Sequence, residues 1–177
     1  MKYCSECGNT IENKVPPEDN RPRAVCKVCF KIHYVNPKVV VGSMTTWENQ
    51  ILLCRRAINP RKGFWTLPAG FMEIGESTSE GAKRETIEES GADIELKELF
   101  AVFDIPTFNQ VHIFYLARMK SDKLNPGIES LEAKLFREED IPWSELSFTS
   151  VKKALELFYE KSSRDLSRVH TALITSK

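Results

Sequence analysis

Four cysteines in two Cys-x-x-Cys pairs, Cys4/Cys7 and Cys26/Cys29, stand eighteen residues apart and dictate how the N-terminal segment can fold. Residues 1–35 hold Pro16, Pro17 and Pro22 and few large apolar side chains, so they cannot build a core of their own. The pairing falls within the spacing of a four-thiolate zinc site, which folds such a segment by tying its two ends to one ion. With all four positions filled by protein, the site is closed and the single Zn²⁺ per chain is structural. A redox pair or free thiols is the other reading of Cys-x-x-Cys, and neither pair sits in the βαβ context that a redox motif needs. Cys54 is left over as a small core residue.

Beyond the cysteines the chain changes character. Its 177 residues are 41% hydrophobic, enough for one main domain with a small appendage. Lys and Arg number 25 against 25 Asp and Glu, which argues against a protein held to nucleic acid or anionic lipid by general attraction. Within the first 35 residues Lys14, Arg21, Arg23, Lys27 and Lys31 are balanced by Glu6, Glu12, Glu18 and Asp19, so a ribbon that adapts to nucleic acid is the weaker alternative. The most continuous apolar run, Val39 to Val41, is far short of a membrane span. Lys2, Cys4, Glu6 and Cys7 at the start resemble neither a secretion signal nor a transit segment, and paired thiols suit a reducing compartment, so the expected location is the cytoplasm.

Val39–Met44 and Ile51–Arg55 read as strands joined through Glu48-Asn49-Gln50 as a hairpin. A short strand is expected around Trp65 to Leu67, then a loop punctuated by Pro68, Gly70 and Gly75. Ser77 with Glu80 three residues on is a capping box, and Gly91 supplies a left-handed stop, which predicts a helix over 78–90. Strands follow at 94–105, 111–119 and 131–136, separated by a loop at Asn125-Pro126-Gly127, and then a helix near 150–161. The order is α+β with a mixed sheet, divided as 1–35 ribbon, 36–162 main domain and 163–177 tail, the last without a legible signal.

The chemistry is concentrated between Gly70 and Gly91. At 100° per residue Glu85, Glu88 and Glu89 share about one third of the helix circumference, near the end where the helix dipole opposes negative charge. Divalent cations neutralise such a cluster, hard oxygen ligands suit Mg²⁺ or Mn²⁺, and those ions in turn hold phosphate oxygens, which points to a polyphosphate ester as substrate. The plainer alternative is a solvated acidic face with Arg84 and Glu88 paired at i,i+4.

The spacing Gly70, five residues, Glu76, seven residues, Arg84-Glu85-Thr86-x-Glu88-Glu89-x-Gly91-Ala92 resembles the signature of the Nudix hydrolases. Thr86 and Ala92 depart from it, standing where larger aliphatic residues are preferred, on the packing side and away from the metal side. The resemblance covers roughly residues 37–160. It implies an α/β/α sandwich, divalent-metal dependence with two or three ions, and hydrolysis of a pyrophosphate bond. By position it makes Glu85 and Glu89 metal ligands, Glu88 a third ligand or water orienter, the Ala69 carbonyl a backbone ligand, Arg84 the residue that orients a glutamate, and Glu76 a brace for loop and helix. Gly70 and Gly91 support the motif. Which glutamate acts as general base stays open.

The order of two Cys-x-x-Cys pairs, Tyr34-Val35-Asn36-Pro37 and Leu67-Pro68-Ala69-Gly70-Phe71 ahead of that signature is similar to a zinc-ribbon subgroup that includes NADH, FAD and ADP-ribose pyrophosphatases. In that subgroup a glutamate on the strand after the long loop also reaches the metals, which favours Glu129 over Glu132. The expected reaction is release of AMP from ADP-ribose or FAD, with a small-molecule nucleotide as partner and a homodimer as assembly. The NADH-cleaving branch carries an SQPWPFPxS segment that this chain replaces with Phe103-Asp104-Ile105-Pro106-Thr107-Phe108-Asn109-Gln110. NADH and nucleoside triphosphates are therefore the alternative substrates.

Weaker signals are the basic cluster Arg55, Arg56, Arg61 and Lys62, which could hold phosphate or ribose or serve equally as exposed solubilising charge, and the aromatics Phe103, Phe108, Trp47 and Tyr34, which could stack on adenine or a flavin but read first as core. His33, His112 and His170 lack paired metal spacing and are expected to be structural or on the surface.

Overall fold

In the computed structural model, residues 1–160 and 168–175 are described. The chain divides into two units, Met1–Asn36 and residues 37 onward. The first is an antiparallel sheet of β1 (Ile11–Lys14), β2 (Arg23–Cys26) and β3 (Ile32–His33), in that order. Its buried apolar side chains are Cys4, Pro16, Val25 and Cys26, which is too little to fold a segment without a crosslink.

The second unit is built on β4 (Lys38–Trp47), β5 (Gln50–Arg56), β8 (Ile94–Ile105), β9 (Gln110–Met119), β10 (Ser130–Phe136) and β11 (His170–Leu173), hydrogen-bonded in the order β10-β5-β4-β9-β8-β11. Short β6 (Trp65–Thr66) pairs with β5, and β7 (Ala69–Phe71) pairs with β4. The β4/β9 and β8/β11 pairs are parallel and the others antiparallel, so the sheet is mixed.

Two helices, α1 (Thr78–Ser90) and α2 (Thr149–Tyr159), cover opposite faces, as the alternation along β4 reveals. Ser43 meets Thr86 of α1 through hydroxyls 2.6 Å apart, and Ser43 also meets Thr45 at 2.6 Å. Met44, pointing the other way, joins Leu53, Leu67, Phe103 and Phe114 in the main core, to which α2 adds Val151, Ala154 and Leu155. That i, i+3, i+4 spacing is an ordinary apolar helix stripe. The α1 face is different, since its buried residues are Gly81, Ala82, Thr86, Glu89 and Ser90. Small side chains let α1 lie close on the sheet, and hydroxyl bonds satisfy what they bury. A second core of Leu52, Ala92, Ile94, Ala117 and Met119 lies toward the end of α1.

Two readings of the sequence need correction. The stretch after Leu67, expected as loop, contains β7, which registers Gly42 against Ala69 and Val40 against Phe71. The tail, without signal in the sequence, supplies β11, paired in parallel with residues 101–104 of β8. Glycine punctuation hid the first, and a four-residue edge strand carries too little periodicity to reveal the second. The predicted end of the second helix at Lys161, and much of the tail, lie outside the described residues.

His112 on β9 is buried, with Nε2 donating to Gln110 Oε1 at 3.0 Å and Nδ1 without a partner. Burial lowers its pKa from 6.5 to about 4. The unfolded chain therefore takes up a proton that the fold refuses, and stability falls as pH drops from about 6.5 toward 4, by about 3 kcal/mol in all. His112→Phe should lose less stability than the parent between pH 7 and pH 4.5 in urea titrations. Equal losses would clear His112 of this acid sensitivity.

Candidate active site

The capping box forms as the sequence predicts. Ser77 Oγ accepts from Glu80 N at 3.2 Å, Glu80 Oε2 accepts from Ser77 N at 2.8 Å, and Gly91 ends α1 at φ 68°. With both ends of α1 fixed, the carboxylates of its last turns keep a set relation to β7 and to the loop before β10.

Arg84 organises the acidic face. Its Nε donates to Glu76 Oε1, its Nη1 to Glu85 Oε1 at 2.8 Å and Glu88 Oε2 at 3.0 Å, and its Nη2 to the Phe71 carbonyl and Glu76 Oε2, both at 3.1 Å. One guanidinium thus holds three carboxylates and the backbone of β7. Glu76 also accepts from Glu73 N at 2.9 Å, closing the loop on itself. Arg84, aided by that amide, holds the Glu76 carboxyl below its ordinary value.

The three helix glutamates occupy different surroundings. Glu89 is buried, its Oε2 accepting from Ala69 N at 3.1 Å, and burial pushes its carboxyl up to about 8 against the opposing pull of that amide. Glu85 is also raised by burial, with Arg84 opposing and the charges of Glu88 and Glu129 adding. Its carboxylate lies against the backbone of Gly70, in space that a Cβ there would occupy. Glu88 is more open, its side chain 58% exposed and paired with Arg84. A carboxylate raised by burial is one that a cation would ionise, so Glu85 and Glu89 with the Ala69 backbone fit a divalent ion well. Thr86 and Ala92, the two departures from the signature, are fully buried on the packing side.

Glu129 acts electrostatically on both Glu85 and Glu89. It reaches them because the loop before β10 packs on the end of α1: Asn125 N donates to Ser90 O at 2.8 Å, and Gly127 passes so close that a Cβ would collide with the Glu88 carbonyl oxygen. A register shift at Leu131 leaves Glu132 opposite Arg55. Gly127 was no more than a loop glycine in the sequence, and nothing local betrays this close approach.

Arg56 lies with its guanidinium 5.1 Å above the Phe148 ring, and its charge lowers the Glu89 pKa in part. Arg55 Nε is held by the Gly63 carbonyl at 2.9 Å. Phe108 is exposed, but Phe103 is fully buried against Phe114, which removes it from the stacking candidates and selects the core reading: alternation along β8 turns it into the core. Trp47 packs on the second core, and Tyr34 lies under Arg23.

In the N-terminal unit the four cysteine sulfurs lie within 4.8 Å of one another, with separations of 3.4 to 3.6 Å for Cys7/Cys29, Cys7/Cys26 and Cys4/Cys29. Zn–S bonds of about 2.3 Å in a tetrahedron require sulfurs about 3.8 Å apart, so the set fits zinc with small adjustment. Peptide N–H groups of Val28 and Cys29 both point at Cys26 Sγ at 3.4 Å, and the Asn9 side-chain amide brings the Cys7 thiol down to about 6. His33, expected to be merely structural, sits with Nε2 3.3 Å from Cys4 Sγ.

Comparison with known proteins agrees with this geometry. Residues 2–35 match the zinc-ribbon family described as Nudix N-terminal, and residues 36–161 match the NUDIX domain. An ADP-ribose pyrophosphatase from Methanocaldococcus jannaschii is 33% identical over 113 residues, 62% of this chain and 67% of that protein. The NAD-capped RNA hydrolase NudC of Vibrio parahaemolyticus is 29% identical over 147 residues, 80% of this chain and 53% of its own length, so the chain spans about half of that relative. The crystal structure of a NUDIX hydrolase from Nitrosomonas europaea superposes with a TM-score of 0.94 at 44% identity, covering 99% of this chain and all of the other.

Proposed function

Because the chain belongs to the Nudix hydrolase family, we propose that it hydrolyses the pyrophosphate bond of a nucleoside diphosphate derivative, ADP-ribose or FAD, and releases AMP. The observation that carries this reading is the pair of carboxylates Glu85 and Glu89, the first half-buried against Gly70 and the second buried and bonded to Ala69 N, with the charge of Glu129 acting on both. Glu85, Glu89, Glu129 and the Ala69 carbonyl would hold Mg²⁺ or Mn²⁺, with Glu88 at the open side. When bound, the cations supply charge neutralisation at the diphosphate and acidify water for attack on phosphorus.

The side chains of this protein do the rest. Arg84 keeps Glu85 turned toward β7, and Glu76 keeps Arg84 in place, so the negative charge stays gathered where a diphosphate would be cleaved. A carboxylate at the open side of the cluster takes the proton released by the attacking water. Arg56 would meet the phosphates, its guanidinium already stationed on Phe148.

In the N-terminal unit the same reading gives the four thiolates to one structural Zn²⁺, in a reducing cytoplasmic setting, and makes the working form a homodimer. A second reading, cleavage of NADH or of an NAD-type cap, is favoured by the match to NudC over 80% of this chain.

Purified protein incubated with ADP-ribose, FAD, NADH and nucleoside triphosphates, each with Mg²⁺, Mn²⁺ or a chelator, separates these readings. The expected result is metal-dependent AMP release from ADP-ribose or FAD. Turnover confined to triphosphates would overturn the substrate assignment, and NADH as the preferred substrate would establish the second reading.

A further inference from the structure

We propose that His33 is a positioning residue of the four-thiolate centre, an N–H donor that lowers the charge on the Cys4 sulfur and slows release of the bound ion. The proposal rests on the assignment of Zn²⁺ to Cys4, Cys7, Cys26 and Cys29.

Three observations converge on it. His33 is 92% buried in a unit whose other buried residues are Cys4, Pro16, Val25 and Cys26, so its imidazole is one of the few large groups that unit encloses. Its backbone is fixed by the pairing of β3 on β2, which sets His33 opposite Ala24. Its Nε2 then lies 3.3 Å from Cys4 Sγ.

A sulfur bound to zinc carries no proton, so in this pair the imidazole must donate and Nε2 must hold the hydrogen. Coordination by His33 is not required, because four thiolates already complete a tetrahedron. What remains for the ring is to stabilise the anion. Cys4 Sγ accepts only one other donor that the structure gives, the Glu6 amide at 3.4 Å, whereas Cys26 has two peptide N–H groups and Cys7 has the Asn9 side chain. Four thiolates around one divalent ion leave two net negative charges in a small space, and each N–H···S contact spreads that charge and makes the sulfur a poorer proton acceptor. His33 supplies at Cys4 what a second peptide N–H supplies at Cys26. It also ties β3 to the first Cys-x-x-Cys turn, joining the last strand of the unit to its first knuckle.

The test is zinc transfer from the intact chain to a coloured chelator, followed at pH 7.5 for the parent, His33→Phe and His33→Gln, with bound zinc counted beforehand by elemental analysis. Phe keeps the bulk and loses the donor, while Gln keeps an N–H of similar reach. Loss of zinc from His33→Phe should be about 10-fold faster or more, and His33→Gln should recover most of the difference. Equal rates for the parent and His33→Phe would overturn the proposal. So would a His33→Gln variant as labile as His33→Phe, since packing and not donation would then be what the ring provides. A parent protein that is folded and holds no zinc would refute the four-thiolate assignment itself, a result distinct from either of the others.

Discussion

Glu89→Gln should lower kcat by at least about 100-fold while leaving the fold in place, because it removes one charge from the group proposed to hold the cations and changes little else. Gln keeps the size of Glu89 and a carbonyl oxygen to accept from Ala69 N, the bond that fastens the side chain to β7. Burial already holds the metal-free carboxyl at about 8. A neutral amide there adds no desolvation cost at pH 7, so the thermal midpoint of the metal-free variant should match or exceed that of the parent. Steady-state kinetics with a Mg²⁺ titration checks the first expectation and calorimetry in chelator the second. Near-normal turnover with unchanged metal dependence would remove Glu89 from the site.

The other large effect belongs to the N-terminal unit. Cys26 is wholly buried and receives two peptide N–H groups, and a tetrahedral site does not tolerate the loss of a ligand. Cys26→Ser should abolish zinc binding, removing folding free energy on the order of 10 kcal/mol from a segment with almost no other core. Hydrogen exchange should then find residues 1–35 unprotected while amides of β4, β8 and β9 stay protected. Elemental analysis decides the point: a variant that keeps both its zinc and its protection would show that Cys26 is not a ligand.

The sequence disclosed most where a local rule was strong. Ser77, Glu80 and Gly91 marked both ends of α1 to the residue, since caps act through backbone groups that no tertiary contact replaces. Hydrophobic periodicity would not have found this helix, because its buried face is Gly, Ala, Thr and Ser; that face is small and hydroxylic so that the acidic edge can lie close to β7. Strand alternation gave β4, β5, β8 and β9, yet not which face each side chain takes, and so Phe103 stayed open between the core and a base, and burial gives it to the core. Glu85, Glu88 and Glu89 were legible as one cluster but not as three environments, one buried, one packed against Gly70 and one open to solvent. That difference is made by β7 and by the loop before β10, elements distant in sequence from the helix. The partnership of His33 with Cys4 spans 29 positions and has no spacing rule to announce it.

The close passage of Gly127 over the Glu88 carbonyl has a consequence for anyone who would re-engineer this protein. The segment between β9 and β10 divides into a free part and a clamped part. Asp122 and Lys123 are open to solvent, whereas Asn125 is bonded to the helix end and Gly127 admits no side chain. Grafted sequences meant to reshape the mouth of the site can enter at Asp122 and Lys123, where added length costs little. The step from Asn125 to Glu129 works as a ruler, and a graft that lengthens it by one residue would carry the Glu129 carboxylate away from Glu85 and Glu89 even though every charged residue of the cluster were retained.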